Sequence, residues 1–251
     1  PGLANKVGAR NAAVVALTFP SSPLKARNGH TVVTGLPLRA AIAELADRRA
    51  DAEGAAQARR EAAERLGINA DAPTLLVTGG SLGALHVNES VTAAADALPE
   101  RAQVVHLTGR GKDEPVRAAV EAAGLSDRWH VIDYLTTMED ALAVADLVVC
   151  RSGAGTVAEM EALGLPCIYV PLPIGNGEQR LNAADHVAAG GAQLIDDKDF
   201  TADFVRRNVF PLLGSTRVAD MAAASQSLGR AGAARALADL ALEQVKEACH
   251  E

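Results

Sequence analysis

The segment Cys150-Arg-Ser-Gly-Ala-Gly-Thr-Val-Ala-Glu159 puts two kinds of binding chemistry close together. A run of buried-looking residues from Asp146 to Cys150 stops at a small-residue turn, and an amphipathic helix follows. The turn, Ser152-Gly153-Ala154-Gly155-Thr156, leaves the first backbone N–H groups of that helix without intrahelical partners. The positive end of the helix dipole lies at the same place, and together they favour a phosphate. Glu159 falls one turn into the helix, where its carboxylate can accept hydrogen bonds from paired sugar hydroxyls. Phosphate plus diol suggests a nucleotide.

Further turns follow other strand-like runs. Thr74-Leu-Leu-Val-Thr-Gly79-Gly80-Ser81-Leu82-Gly83-Ala84 reads as strand, glycine turn and helix. Its glycines let backbone N–H groups approach a ligand, and Ser81 adds a hydroxyl donor. It matches neither G-x-G-x-x-G nor a Walker A loop, so a tight turn that binds nothing is the alternative. Thr108-Gly109-Arg110-Gly111-Lys112 runs into Asp113-Glu114 and is expected to be a structural loop. In Asp133-Tyr134-Leu135-Thr136-Thr137-Met138, loop backbone could pair with a flat base, but a helix cap at Thr136 or Thr137 explains the segment more simply. Glu178, Gln179 and Asn182 lie within one turn and could gather around a polyol, although an acid at a helix start also has an ordinary dipole explanation. Taken together, the loops converge on a nucleotide-sized ligand at one sheet edge. The six histidines are scattered, Asp196-Asp197-Lys198-Asp199 reads as a solvated turn, and no metal or cofactor is implied.

These loops need a frame. Strand-like runs occur at 12–17, 31–33, 74–77, 104–107, 130–132, 147–150, 167–170 and 193–195. Between them, Ala-rich stretches at 84–98, 114–123, 156–163 and 179–189 carry apolar residues at helical spacing. Short apolar strands alternating with helices predict an α/β fold, a doubly wound parallel sheet covered on both faces. With 49% hydrophobic but only 3% aromatic residues, the core must be built mainly from Ala, Val and Leu. A boundary is expected near Gly35-Leu-Pro-Leu-Arg39. It sets residues 1–38, which are too few for a domain, apart from a full set at 39–230, and a late helix occupies 231–251. The net charge of −7 argues against general nucleic-acid binding. Three cysteines without metal-ligand spacing read as reduced thiols, two of them in the core. No apolar run approaches the ~18 residues of a membrane span, and no signal-peptide pattern opens the chain, so a cytoplasmic protein is expected.

The ordered motifs Pro1-Gly-Leu-Ala-Asn5, Leu36-Pro-Leu-Arg39, Gly79-Gly-Ser-Leu-Gly-Ala84, Cys150-Arg-Ser-Gly-Ala-Gly-Thr156 with Glu159, and Gly175-Asn-Gly-Glu-Gln-Arg-Leu-Asn-Ala183 resemble the MurG family. These are GT-B glycosyltransferases that move N-acetylglucosamine from UDP-GlcNAc onto the undecaprenyl-linked acceptor lipid I to form lipid II in peptidoglycan synthesis. The match runs the length of the chain, and the Gly-Asn-Gly-Glu-Gln wording looks actinobacterial. The resemblance implies a peripheral enzyme on the cytoplasmic face of the membrane. It places Ser81 along the donor site and Arg39 near the interdomain cleft and the diphosphate, with Leu135 offering backbone groups to uracil. Ser152, Gly153, Ala154, Gly155 and Thr156 would cradle the diphosphate, and Glu159 would take the ribose hydroxyls. Gln179, with Glu178 beside it, would meet the GlcNAc hydroxyls; Glu178 replaces the family's more usual glutamine. The family's N-terminal Rossmann-like half, about 100 residues, binds the acceptor and supplies the candidate base. It has no counterpart here beyond residues 1–38. On this reading, residue 1 is a truncation point and residues 231–251 pack back toward the missing half. The chain carries the donor-binding half, and by itself it binds without turnover. The alternatives are a stand-alone UDP-GlcNAc-binding module and an isomerase resembling UDP-GlcNAc 2-epimerase.

Overall fold

The computed structural model describes residues 2–80, 84–174 and 176–248. A short helix α1 (Leu3–Gly8) precedes β1 (Val14–Leu17) and β2 (His30–Val33), which pair in parallel as a separate small sheet. Helices α2 (Ala40–Arg48) and α3 (Ala52–Leu66) lead into the main sheet. Its strands are β3 (Thr74–Thr78), β4 (Gln103–Leu107), β5 (Trp129–Ile132), β6 (Leu147–Cys150), β7 (Cys167–Tyr169) and β8 (Ala192–Leu194). The intervening helices are α4 (Leu85–Thr92), α5 (Glu114–Ala122), α6 (Met138–Val144), α7 (Ala154–Leu163), α8 (Glu178–Asn182) and α9 (Ala184–Ala188). After β8 come α10 (Ala202–Phe204), α11 (Thr216–Gln226) and α12 (Ala233–Ala248).

The six strands are all parallel and lie in the order β5-β4-β3-β6-β7-β8. The chain winds outward from β3 through β4 to β5, then returns to start the other wing with β6. The connections leave in opposite directions at β3 and β6, so a crevice opens above their carboxyl ends.

Every residue of β3, β4 and β6 is buried, which explains why these strands read as unbroken apolar runs. Their side chains still alternate between two cores. Leu76 and Val148 join Ile42, Ala62, Leu142 and Met160 on one face. Leu75 and Val77 join Val91, Val116, Trp129 and Phe210 on the other. Alanine does much of the packing on the first face, where Ala58, Ala62 and Ala63 of α3 and Ala141 and Ala143 of α6 belong to one cluster. Small side chains let helix axes approach closely, which suits a chain with so few aromatics.

Helix α3 starts at Asp51, whose side chain accepts from the Gly54 N–H, and ends at Gly67 in the left-handed region at φ 68°. Arg59 of α3 binds both Asp146 carboxylate oxygens at 2.9 Å and also the carbonyls of Ala70 and Ala72. Asp146 in turn accepts from the Thr74 N–H at 2.8 Å. This one ion pair therefore fixes the starts of β3 and β6.

Three expectations need correction. The helix expected over 84–98 ends at Thr92, and a 3-10 turn covers Ala95–Ala97. Leu98 is extended (φ −62°, ψ 124°), as the residue before Pro99 tends to be. The helix expected over 179–189 is broken into α8 and α9 beside Asn182, whose side chain donates to the Ser152 carbonyl at 3.1 Å. The 196–199 segment is not simply solvated: Asp197 pairs with Arg151 at 2.5 Å, both well covered, and Asp196 pairs with Arg180.

The small sheet has its own cluster of Ala9, Val15 and Leu17. It is tied to the main body by the Ser21 N–H, which donates to Asp185 at 3.0 Å. Gly35, at φ 84°, sits so close to Arg230 and Ala233 that a side chain there would crowd the start of α12. Among the described residues, no helix is long and apolar enough to cross a membrane.

Candidate functional site

The crevice between the two wings is lined by residues from the ends of four strands and from α2, α6 and α7. Thr78 and Gly80 follow β3, Leu107 and Gly109 follow β4, and Asp133, Tyr134 and Leu135 follow β5. Cys150, Arg151, Thr156, Glu159 and Met160 come from β6 and α7, Met138 from α6, and Arg39 from the start of α2. Four of the residues singled out in the sequence, Arg39, Leu135, Thr156 and Glu159, thus share one cavity.

The start of α7 is arranged as the sequence suggests. Gly153 is its N-cap with extended backbone (φ −63°, ψ 148°) and has no side chain to cap the first turn. The Val157 N–H donates to the Gly153 carbonyl, which leaves the preceding N–H groups without helical partners. Ala154 and Gly155 are exposed, while Gly153 and Thr156 are partly covered. Ser152 is fully buried, and its hydroxyl has no hydrogen-bond partner. An orphan hydroxyl beneath free N–H groups suits a ligand that brings its own acceptors.

Glu159 is oriented before any ligand arrives. One of its oxygens accepts from Arg39 Nε at 3.0 Å and from a terminal guanidinium nitrogen at 2.9 Å. Arg39 remains 57% exposed and Glu159 only 16%. The carboxylate is therefore held at the cavity wall by a side chain free to swing away.

Leu135 is partly buried, packs against the first core and also lines the cavity. Tyr134 beside it is 43% exposed and carries the Arg110 guanidinium 3.8 Å above its ring. The 108–112 loop, expected to be only structural, thus contributes Gly109 to the cavity wall and Arg110 to its rim. Gln179 and the exposed Glu178 lie on α8, outside the cavity, and α8 is tied to the turn before α7 by the Asn182–Ser152 bond. Gln179 is already engaged, accepting from the Leu172 N–H at 2.9 Å. Ser81 lies outside the described residues.

Arg151 is a residue that sequence reasoning missed. It lines the cavity and clamps the end of β7 by donating to the Val170 carbonyl at 3.0 Å and the Pro171 carbonyl at 3.1 Å, with Asp197 as its counter-ion. Its place immediately after β6 is visible in the sequence; its partners come from distant loops that only the fold brings together.

The glycosyltransferase family 28 C-terminal domain model matches residues 74–237. The chain is 48% identical over 227 residues to a Bifidobacterium adolescentis UDP-N-acetylglucosamine–N-acetylmuramyl-(pentapeptide) pyrophosphoryl-undecaprenol N-acetylglucosamine transferase; the match covers 84% of this chain and 57% of the relative. An enzyme of the same name from Clavibacter michiganensis is 46% identical over 248 residues, covering 98% of this chain and 62% of the relative. Among solved structures, Acinetobacter baumannii MurG aligns with a TM-score of 0.75 at 25% identity, covering 96% of this chain and 63% of that one. A UDP-N-acetylglucosamine 2-epimerase from Listeria monocytogenes aligns at a TM-score of 0.55 and 21% identity over 73% of this chain and 47% of that one, a likeness of fold alone. The chain thus spans about three fifths of the length of the curated relatives it matches.

Proposed function

Since the chain belongs to the glycosyltransferase family 28 C-terminal domain family, we propose that its crevice binds UDP-GlcNAc as the sugar donor for transfer to an undecaprenyl-linked acceptor. The observation that carries this reading is that Thr156, in the uncapped first turn of α7, shares one cavity with Glu159 and Arg39 at the point where the sheet reverses its winding. Free N–H groups with a helix dipole suit the diphosphate, and a carboxylate one turn further suits the ribose diol. Curated relatives at 46–48% identity bear the name of a transferase with this donor, whereas the epimerase likeness is one of fold.

In this mechanism the acceptor hydroxyl, deprotonated by a base, attacks the anomeric carbon of GlcNAc and UDP departs. The residues of this chain act on the leaving group. Gly153, Ala154, Gly155 and Thr156 present N–H groups to the diphosphate, and Arg39, released from Glu159, adds positive charge as negative charge grows there. Ser152 adds a hydroxyl donor at the same end, and Ser81 is assigned to the donor site by the family's glycine-loop motif. Leu135 offers backbone groups to uracil, while Gln179 and Glu178 meet the sugar hydroxyls. The acceptor site and the base belong to the part of the relatives' length that this chain does not span. We assign residues 1–38 and 231–251 to the junction with that part, and residues 39–230 to the donor domain. The assembled enzyme would work at the cytoplasmic face of the membrane as a peripheral protein in cell-wall synthesis.

Calorimetric titration of this chain with UDP-GlcNAc, UDP and ADP tests the proposal. Saturable binding of UDP-GlcNAc and UDP with clear preference over ADP is expected, without turnover. Equal affinity for ADP, or no heat with either uridine ligand, would overturn it.

A further inference from the structure

Behind the crevice, four buried groups form a hydrogen-bonded chain in which each proton has one possible position. The Trp129 indole N–H on β5 donates to His106 Nδ1 on β4 at 3.3 Å, so that nitrogen must be the unprotonated one. His106 Nε2 therefore carries the proton and donates to Asn88 Oδ1 on α4 at 3.1 Å. The Asn88 amide nitrogen is left to donate to the Thr108 carbonyl at 3.0 Å. Trp129 and Asn88 are each 2% exposed, and His106 and Thr108 are fully buried, so no solvent competes along the chain. Burial holds the His106 pKa at about 3, which keeps the ring neutral and the directions of donation fixed.

The chain ends at a junction of the cavity wall. Thr108 directly precedes Gly109, which lines the cavity at φ 90°. The Thr108 N–H also donates to the Ile132 carbonyl at 3.0 Å, immediately before the Asp133–Leu135 wall. Asn88 itself sits one turn into the helix that follows the Gly79-Gly80 loop.

We infer that Asn88 is a positioning residue for the nucleotide cavity, setting the 108–109 turn through its bond to the Thr108 carbonyl and oriented by the relay from Trp129 through His106. The inference rests on the nucleotide-sugar reading of the crevice. Asn88 touches no ligand; it fixes the wall against which the base and ribose would lie. Since the chain contains a single tryptophan, its indole N–H is an unambiguous reporter of the relay from the edge strand β5.

Three measurements on wild type and Asn88→Asp test this. The substitution keeps size and acceptor and, measured at pH 8 with the carboxylate ionised, removes the donor to Thr108. UDP affinity is expected to fall about tenfold, as for one buried hydrogen bond made unfavourable. In wild type, the indole N–H resonance should shift on saturation with UDP, and in the variant that response should vanish. Without ligand, amide exchange at Gly109 and Gly111 should accelerate in the variant, while α6 and α7 keep wild-type protection. UDP affinity within twofold of wild type, an indole signal that ignores UDP, or unchanged exchange at 109–111 would each overturn the inference. Should wild type take up no UDP, the crevice reading falls, and the exchange measurement alone still decides whether Asn88 holds the turn. If Asn88→Asp does not fold, Trp129→Phe removes only the first donor and keeps a ring in place. It should raise exchange at Gly109 more weakly, and no change there would count against the relay.

Discussion

Glu159 and Gln179 both have partners within the chain, and those partners shape what substitution will do. The Arg39–Glu159 pair has an exposed member, and such pairs contribute at most about 1 kcal/mol to stability. Glu159→Ala should therefore leave the thermal midpoint almost unchanged while weakening UDP binding by roughly 1.5–3 kcal/mol, the range for hydrogen bonds to a charged group. Calorimetry and thermal melts on the same sample check the split; a loss of stability without a loss of affinity would remove Glu159 from the ribose site. Gln179→Ala is expected to spare UDP and weaken UDP-GlcNAc, and it also frees the Leu172 N–H. Comparing the two ligands separates the sugar contact from the loop contact, because a loop effect would weaken both. The place of Glu159 beside the start of α7 was legible in the sequence because its spacing from the glycine turn is local. The role of Arg151 was not, because its partners Val170, Pro171 and Asp197 become neighbours only through the pairing of β6 with β7.

Strands and helices were legible for the same reason that they are stable. Runs such as 74–77 and 147–150 are continuous because both faces of the sheet are covered, and turn residues bound them sharply. Errors fell where a side chain or a neighbouring proline overrules periodicity, at Leu98 before Pro99 and at Asn182. The Arg59–Asp146 clamp was equally invisible, since its two members stand 87 residues apart in the chain. Arg59→Lys should destabilise the fold by about 2–3 kcal/mol, because one ammonium cannot serve two carboxylate oxygens and two carbonyls together. Denaturant unfolding measures this, and a change below about 0.5 kcal/mol would show that the clamp is replaceable.

Three buried titratable groups make the stability of the molecule depend on pH in opposing ways. Burial lowers His106 to about 3 and His186 to about 4, while desolvation, with Asp185 adding to it, raises Glu161 to about 7. His186 is held by Tyr169 at 2.9 Å and Ser225 at 2.6 Å, so its neutral form belongs to the packed state. Between the folded values and about 6.5, the unfolded chain binds more protons at the two histidines, so they make stability fall as pH drops through that window. Glu161 does the reverse. Its neutral form is favoured in the folded state, and the stability tied to it is lost as pH rises from about 4.5 to about 7. Glu161→Gln should therefore stabilise the protein at pH 8 and steepen its loss of stability below pH 6.5. Unfolding curves at pH 5, 6.5 and 8 check this, and parallel profiles for variant and wild type would exclude Glu161 as the opposing group.

Cys150 floors the cavity at 1% exposure, and Cys167 beside it on β7 is fully buried, its thiol pushed well above the ordinary range by desolvation. Burial keeps both sulfurs out of reach of an alkylating reagent while the sheet is closed, and the raised Cys167 thiol also holds back its reactive thiolate form. With Cys249 replaced by serine, the rate of alkylation becomes a clock for opening of the central strands. A ligand seated over β6 should slow that clock by the factor with which it stabilises the closed sheet. Occupancy of the cavity could then be read by mass spectrometry on unlabelled protein, with no substrate turned over.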